Sequence, residues 1–575
     1  MNNSNSESSA NAKCNRVAPA PHPWLWRNGP YIALAVLVLI NVGLLLVLTS
    51  GLTYYQDTWE FLMNRRSFTV DSLLKPHNEH IVLIPVMLQQ LQLTIFGMTS
   101  ATPEYVFTTV MLAISAVLLF VYVRKRTAPW LAVVFAALLL FIGPAWETLL
   151  WPFEICFIGS MLFGIAMLLA LEREDRCGDI AATFFLAISL GFNSLGLAFA
   201  VAATVDILQH RHLRFLRRVY LVAIPLMLYG AWYIGWGHVA GNDLSLDNVL
   251  NAPRYVLESL GAALEALLGL SGSTPGEAAP FEWGRPLTVA FIGLLIFGQW
   301  RKPGFYSRLW PAAAAASTYW ILAAFNHSAA REPTSSRYLY ASGAMALLVV
   351  ANLIKDVRFG RQAQLVIGAV AVAAIASNLI VMNDGANFLR NQAVLTKADL
   401  GAMQIARRAI DPRFIPAPAT AGTGSLVDVE AKKYFAAIDE YGSPAYDPRE
   451  LEAAPKPGPH YADIILAQAL PLSTVTRIGV YDPSGTAKRC VVIPLNQAPA
   501  ESEVRLHSGI TKIEVAAGPP AAFFLRRFSL DEYPVTTEGA PGNSTTRLSI
   551  PDDSAPQPWY LHVEASQRTR VCLVS

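Results

Sequence analysis

Apolar runs long enough to cross a bilayer recur through the first two thirds of this chain and stop at Met382. A crossing helix needs about 20 mostly apolar residues, because the hydrocarbon core is about 30 Å thick and an α-helix rises about 1.5 Å per residue. The clearest runs are Tyr31–Thr49, Tyr105–Val123, Trp130–Trp146, Ile155–Leu171, Val219–Trp236, Leu309–Phe325, Tyr338–Ile354 and Leu365–Met382. Ile180–Leu208, broken by Gly191, Asn193 and Gly196, reads as a tight helical hairpin, and Leu287–Trp300 as one short span. His80–Phe96 is apolar but interrupted by Gln89, Gln90 and Gln92, and a helix lying on the membrane surface accommodates that mixed face better than a span.

Composition agrees with the runs. Charged residues are 15% and hydrophobic residues 53% of the 575 positions, whereas soluble domains carry about 25% charged residues. The chain reads as a polytopic membrane protein. A formal net charge of +2 lacks the concentrated basic surface that phosphate backbones require, so nucleic acid is excluded as a partner.

Basic residues instead set orientation. With the N-terminus in the cytoplasm and His80–Phe96 on the outer surface, Arg124–Arg126, Arg211–Arg218, Arg301–Arg308 and Lys355–Arg361 all fall in cytoplasmic loops, as the positive-inside tendency requires. This gives about 11 spans, a C-terminus outside the cytoplasm, and an outer-surface helix within Asp243–Gly272. Residues 1–30 form a Ser/Asn-rich, then Pro-rich tail without a small-residue cleavage site, so the first span is expected to be retained.

From Asn383 onward no run can span, and charge, Pro and Gly rise to levels normal for a soluble domain. The expected organisation is a cytoplasmic tail over 1–30, a membrane domain over 31–382 with its first outer loop at 51–103, and an extracytoplasmic domain over 383–575. In the last, Asn387–Ile410 and Val427–Tyr441 have helical periodicity, while Arg489–Leu495, Thr511–Val515, Ala522–Phe528 and Trp559–Val574 read as strands. The expected fold is therefore α-helical and polytopic, with a helical neck and an α/β or β-rich, sandwich-like module. Of the five cysteines, Cys490 and Cys572 are the two in that domain, each in an expected strand. They are either a disulfide or two buried thiols.

Chemistry-bearing side chains concentrate in Tyr54–His80, directly after the first span. Asp57 and Glu60 are three apart and share one face of a helical turn, beside Tyr54 and Phe61. Arg65, Arg66, Lys75, His77, Glu79 and His80 follow. A carboxylate held at a membrane surface among cations suits proton abstraction from a hydroxyl while the cations stabilise a departing phosphate.

A first span, an outer loop with an acidic motif, a surface helix ending in Thr94–Gly97 (TIFG), many further spans and an exported C-terminal domain resemble the GT-C glycosyltransferases. The resemblance covers Tyr31–Met382 and rests on topology and loop position more than on an exact motif. It implies transfer of a sugar from a polyprenyl-phosphate-linked donor to a glycan, lipid or protein acceptor outside the cytoplasm, with the first-loop acid as general base. That acid maps onto Asp57. Many members carry two adjacent acids, whereas Gln56 precedes Asp57 here and Glu60 lies three further on, so Glu60 shares the assignment.

Other outer residues have expected roles on this reading. Tyr54, Trp59, Glu147, Trp151 and Glu154, with His327 and Tyr338, are candidates for acceptor or sugar contacts. Arg337, ahead of Arg331, is the candidate for a donor phosphate together with His77 and His80, because a guanidinium at the outer end of a span runs against the charge bias and suits phosphate. No cofactor is assigned, and a divalent metal stays open, with Asp57, Glu60 and His80 a weak candidate set for it. Rival readings are a transporter or flippase for lipid-linked glycans, which would carry its charges along a central pathway, and a non-catalytic envelope scaffold.

Overall fold

The structure, a computed structural model, describes residues 23–209, 218–241, 243–272, 281–301, 309–328, 331–355, 357–416, 426, 429–478, 489–493, 503–535, 540–565 and 567–574. Most of the tail, including Cys14, and all but the outermost residues of the basic clusters Arg211–Arg218 and Arg301–Arg308 lie outside these ranges.

The chain is a helical assembly with a C-terminal β-sheet region. Helices α1 (Pro23–Leu48), α2 (Asp57–Asn64), α3 (Val70–Leu74), α4 (Leu83–Phe96) and α5 (Thr102–Arg124) lead into α6 (Pro129–Leu140), α7 (Trp146–Leu150) and α8 (Ile155–Leu171). They are followed by α9 (Arg176–Phe192), α10 (Gly196–Gln209), α11 (Tyr220–Gly235), α12 (Leu246–Leu267), α13 (Gly284–Arg301), α14 (Leu309–Phe325), α15 (Ser336–Leu353) and α16 (Arg361–Ile405). Among the described residues, four helices are long and apolar enough to cross a membrane: Asn28–Leu48, Thr102–Arg124, Pro152–Leu171 and Arg361–Ile405. The pair Pro129–Leu140 and Gly143–Leu150, bent by 43°, makes five if counted as one span. Helices coincide with each of the expected spans, but Gly196–Gln209, Tyr220–Gly235, Gly284–Phe297 and Leu309–Phe325 are 10–17 residues long, so length and composition do not by themselves give eleven crossings.

Three segments differ from expectation. Helix α1 begins at Pro23 rather than after Pro30, with proline in its first turn, where the missing N–H costs nothing. The last span and the neck are one 45-residue helix, α16. Gly385, within it, is there for contact: an added Cβ would lie 2.4 Å from Trp146 Cγ. The stretch expected as an outer-surface helix enters the bundle instead. The C-terminal half of α12, Ser259 to Leu267, is mostly buried, Gly261 sits against the Gly284 carbonyl, and Asn378 Nδ2 donates to Ala266 O at 3.0 Å. Small residues at Gly261, Ala262, Ala263 and Ala266 allow that close approach.

Beyond α16 come α17 (Ala431–Tyr441), α18 (Pro448–Ala453) and α19 (Gly458–Ala469), then, among the described residues, nine strands in two antiparallel sheets. The five-stranded sheet has the order β1-β7-β4-β9-β2, with β1 Ser473–Ile478, β2 Cys490–Ile493, β4 Gly509–Val515, β7 Ser544–Ile550 and β9 Thr569–Val574. The four-stranded sheet has the order β3-β8-β5-β6, with β3 Glu503–Leu506, β5 Ala522–Arg526, β6 Tyr533–Pro534 and β8 Trp559–Glu564. Alternate residues such as Ile513, Val515, Leu548 and Val571 from the first sheet and Phe523, Leu525 and Leu561 from the second are buried in the same apolar core. Trp559–Val574 is two strands, one in each sheet, and Cys490 and Cys572, opposite each other between β2 and β9, are joined by a disulfide.

Candidate active site

Helix α2 is amphipathic over eight residues. Thr58, Trp59, Phe61, Leu62 and Met63 are buried, which leaves Asp57 and Glu60 on the other face. Both acids lie in the first turn, where unpaired backbone N–H groups favour negative charge. The helix is fastened from beneath: Trp59 Nε1 donates to Tyr54 O at 3.1 Å, and Trp151 Nε1 donates to Thr58 Oγ1 at 3.1 Å. Tyr54 and Trp59, expected at the sugar, are 3% and 0% exposed and pack edge to face. They build the floor of the site.

The HNEH sequence is a two-residue turn. His77 N donates to His80 O and His80 N to His77 O, both at 3.0 Å, with Asn78 at φ 49°. Asparagine tolerates that left-handed backbone better than most residues. The turn sends the two histidines to different neighbours. His77 Nδ1 lies 3.3 Å from Glu60 Oε2 and Nε2 lies 3.4 Å from Asp57 Oδ2, whereas His80 Nε2 lies 3.5 Å from Glu79 Oε1. The metal set Asp57, Glu60 and His80 is therefore not assembled, because the turn places His77 between the acids. Among the described residues no group of three or more His, Cys, Asp or Glu side chains is arranged to hold a metal ion.

Arg65 fixes the loop that carries His77. Its guanidinium is almost fully buried, donates to Lys75 O and Pro76 O at 2.8 Å each, and lies 3.4 Å from Glu60 Oε1. Gln90, one of the glutamines that interrupt α4, points inward and donates to Arg65 O at 2.7 Å and Ser67 O at 2.8 Å. Neither role is readable from local sequence, because the partners are main-chain carbonyls brought close only by folding.

Charge balance follows from these contacts. Burial alone would push the Asp57 carboxyl up, but the His77 hydrogen bond and charge, helped by Arg337, hold it below its ordinary value. Glu60 behaves likewise, with burial opposed by His77, Arg65 and Lys75. Burial would lower His77, yet the two carboxylates raise it, while His80 is pushed down by burial.

Arg337, at the start of α15, reaches the same cluster. Its backbone N–H donates to Glu147 Oε2 at 3.0 Å, its Nε lies 3.6 Å from that oxygen, and its guanidinium stands 5.9 Å from the Trp151 ring centre. Trp151 is 1% exposed and stacks on Phe153, so its faces are used in packing. Glu154 Oε2 is buried here without a hydrogen-bond partner, and two further buried nitrogens have only long contacts, His77 Nε2 to Asp57 at 3.4 Å and Arg337 Nε to Glu147 at 3.6 Å. Buried polar groups are nearly always hydrogen-bonded, so such atoms gathered beside Asp57 make this cluster the candidate site.

Beyond the turn lies a cavity of about 140 Å³ between α8, α10, α11, α14 and α15. Its lining includes Glu79, His80, Asn193, Tyr229, Arg331 and Tyr338. Arg331 forms a two-pronged pair with Glu79, 2.9 and 3.3 Å, rather than with its neighbour Glu332. Asn193 and Tyr229 were not singled out as site residues, although the polar pair Asn193–Ser194 between two apolar helices was the available signal. His327 is elsewhere: it lies 3.2 Å from Glu332 and edge-on to Tyr255, in a surface cleft of about 250 Å³. The expected residues thus divide into an Asp57 group with Glu60, His77, Glu147, Glu154 and Arg337, a cavity group with His80, Arg331 and Tyr338, and the separate His327.

No family model matches the chain, and no curated protein matches it. A solved structure, ArnT from Cupriavidus metallidurans bound to undecaprenyl phosphate, superposes on 78% of this chain and 96% of its own, at 12% identity and a TM-score of 0.46.

Proposed function

We propose that the chain is a membrane glycosyltransferase that moves a sugar from a polyprenyl-phosphate-linked donor to an acceptor hydroxyl outside the cytoplasm. One observation carries this reading: a carboxylate held ionised, Asp57, sits beside His77 and within the field of the Arg337 guanidinium, with a buried oxygen of Glu154 unsatisfied near it. Such a set can hold an anionic leaving group and a hydroxyl nucleophile at once. The donor phosphate would lie against Arg337 and His77, and Asp57 would accept the acceptor proton. The acceptor oxygen then forms its bond to the anomeric carbon as the bond from that carbon to the phosphate oxygen breaks, and the electron pair leaves with the phosphate.

The side chains suit these roles differently. Glu60 is tied to Arg65, Lys75 and His77, three cations, and serves to hold His77. Asp57, whose pair with His77 is long, is the freer acid. The ion pairs lie at the helix ends and in the loops, Asp57, His77 and Arg337 at one end of the bundle and Arg126 with Glu172 at the other, which favours transfer over passage through a charged central pathway.

Transfer of radiolabelled sugar from a polyprenyl-phosphate donor in proteoliposomes tests the assignment. Asp57→Asn should lower the rate by about 10²- to 10⁴-fold, the usual worth of a positioned base. Intact transfer in both Asp57→Asn and Glu60→Gln removes the site. Donor that crosses the bilayer without being cleaved identifies a flippase.

A further inference from the structure

The outer face of the five-stranded sheet is strongly basic. In a strand, alternate residues share a face, and with Thr511, Ile513 and Val515 buried in the core, β4 turns Lys512 and Glu514 outward. The register carries that face across the sheet. Arg547 lies directly opposite Lys512, Arg570 opposite Glu514, and Arg477 opposite Thr545, itself the partner of Glu514. Four cations on four adjacent strands are thus met by one acid at the strand positions of this face. That acid is already engaged, for Lys512 Nζ lies 2.5 Å from Glu514 Oε1, and Arg570 Nε donates to Glu514 Oε2 at 2.7 Å.

Arg477 and Arg547 are exposed, and their register partners are Thr545 for the first and Val475 and Lys512 for the second. Lys512 is already paired with Glu514, so the exposed Arg477 and Arg547 are the cations of this face turned toward an external anion. Adjacent strands lie about 4.8 Å apart, so the four cations form a band perpendicular to the strands and several strands wide. An extended polymer with anions at regular intervals matches such a band. No aromatic side chain occupies the strand positions of the face, as an interfacial contact with lipid or the core of a protein interface would favour.

We propose that this face binds an anionic polysaccharide, a chain whose repeating unit carries carboxylate or phosphate groups, laid across β1, β7, β4 and β9. The proposal stands independently of the reaction assigned to the Asp57 group.

Full-length protein in phosphatidylcholine nanodiscs, titrated into fluorescently labelled polygalacturonate or dextran, tests it by anisotropy. Binding to polygalacturonate that weakens with added salt, with none to dextran, is expected. The double substitution Arg477→Gln/Arg547→Gln should weaken binding about tenfold, while Arg477→Lys/Arg547→Lys retains most of it and both variants keep the wild-type melting temperature. Equal binding of dextran, no binding of polygalacturonate, or an unchanged affinity in the glutamine variant overturns the proposal. Co-sedimentation with phosphatidylglycerol vesicles that matches polygalacturonate binding, and falls equally in the glutamine variant, replaces the polysaccharide with a lipid surface.

Discussion

His77 and Asp57 face each other across 3.4 Å between a hairpin turn and the first residue of a helix, with Glu60 3.3 Å from the other ring nitrogen. This imidazole between two carboxylates sets the pH range of the loop between α1 and α5. His77 is raised from 6.5, so its stabilising contribution is complete below that value and is lost as pH rises through the folded pKa. Asp57 and Glu60 are lowered from 3.8 and 4.5, so theirs is complete above those values and is lost as pH falls through the folded pKa. The cluster should therefore stabilise most between pH 4.5 and 6.5. The difference in melting temperature between wild type and His77→Gln, measured against pH, should form a bell over that window; a flat difference rejects the coupling.

Arg65 should be needed for folding of the loop rather than for chemistry. Substitution by Met leaves Glu60 without its most buried partner and two carbonyls without donors, a cost of about 3 to 5 kcal/mol. Rapid proteolytic cleavage within residues 65–80 and a lowered melting temperature are the expected results.

Arg337 should matter through its guanidinium. Its backbone bonds to Glu147 and Thr148 survive substitution, so Arg337→Gln should fold. Loss of a charged hydrogen-bond donor to the donor phosphate, about 1.5 to 3 kcal/mol, predicts roughly a ten- to hundredfold fall in kcat/KM. Steady-state transfer assays at varied donor concentration check this.

The C-terminal region grips the segment between α1 and α5 at two points. Lys433 donates to Asn64 Oδ1 at 2.8 Å, and Met98 N donates to Tyr441 O at 2.7 Å. Gly97, at φ 71°, is where the approach is closest: a Cβ would lie 2.6 Å from Tyr441 O. Gly97→Ala should combine backbone strain of about 1 to 3 kcal/mol with that clash and release α17 from the loop. Faster amide hydrogen exchange in residues 431–441, with little change in α8 or α15, is the expected signature.

The sequence by itself determined the helical class, the positions of the apolar helices, the β-rich end and the clustering of acids, bases and aromatics after the first span. These are local properties: hydrophobic run length, period-two alternation and composition act through nearest neighbours along the chain. Tertiary structure decided which of those residues meet. Asp57 and Glu60 share a face by helical spacing alone, but whether His77 or His80 joined them depended on a turn at Asn78, and whether Trp59 bound ligand or filled the core depended on what packed beneath α2. Likewise Gly385 is a contact that local sequence does not show, because only the fold brings Trp146 to it. A single chain records what each residue can do; its partner, often a main-chain carbonyl more than a hundred residues away, is fixed by packing in three dimensions.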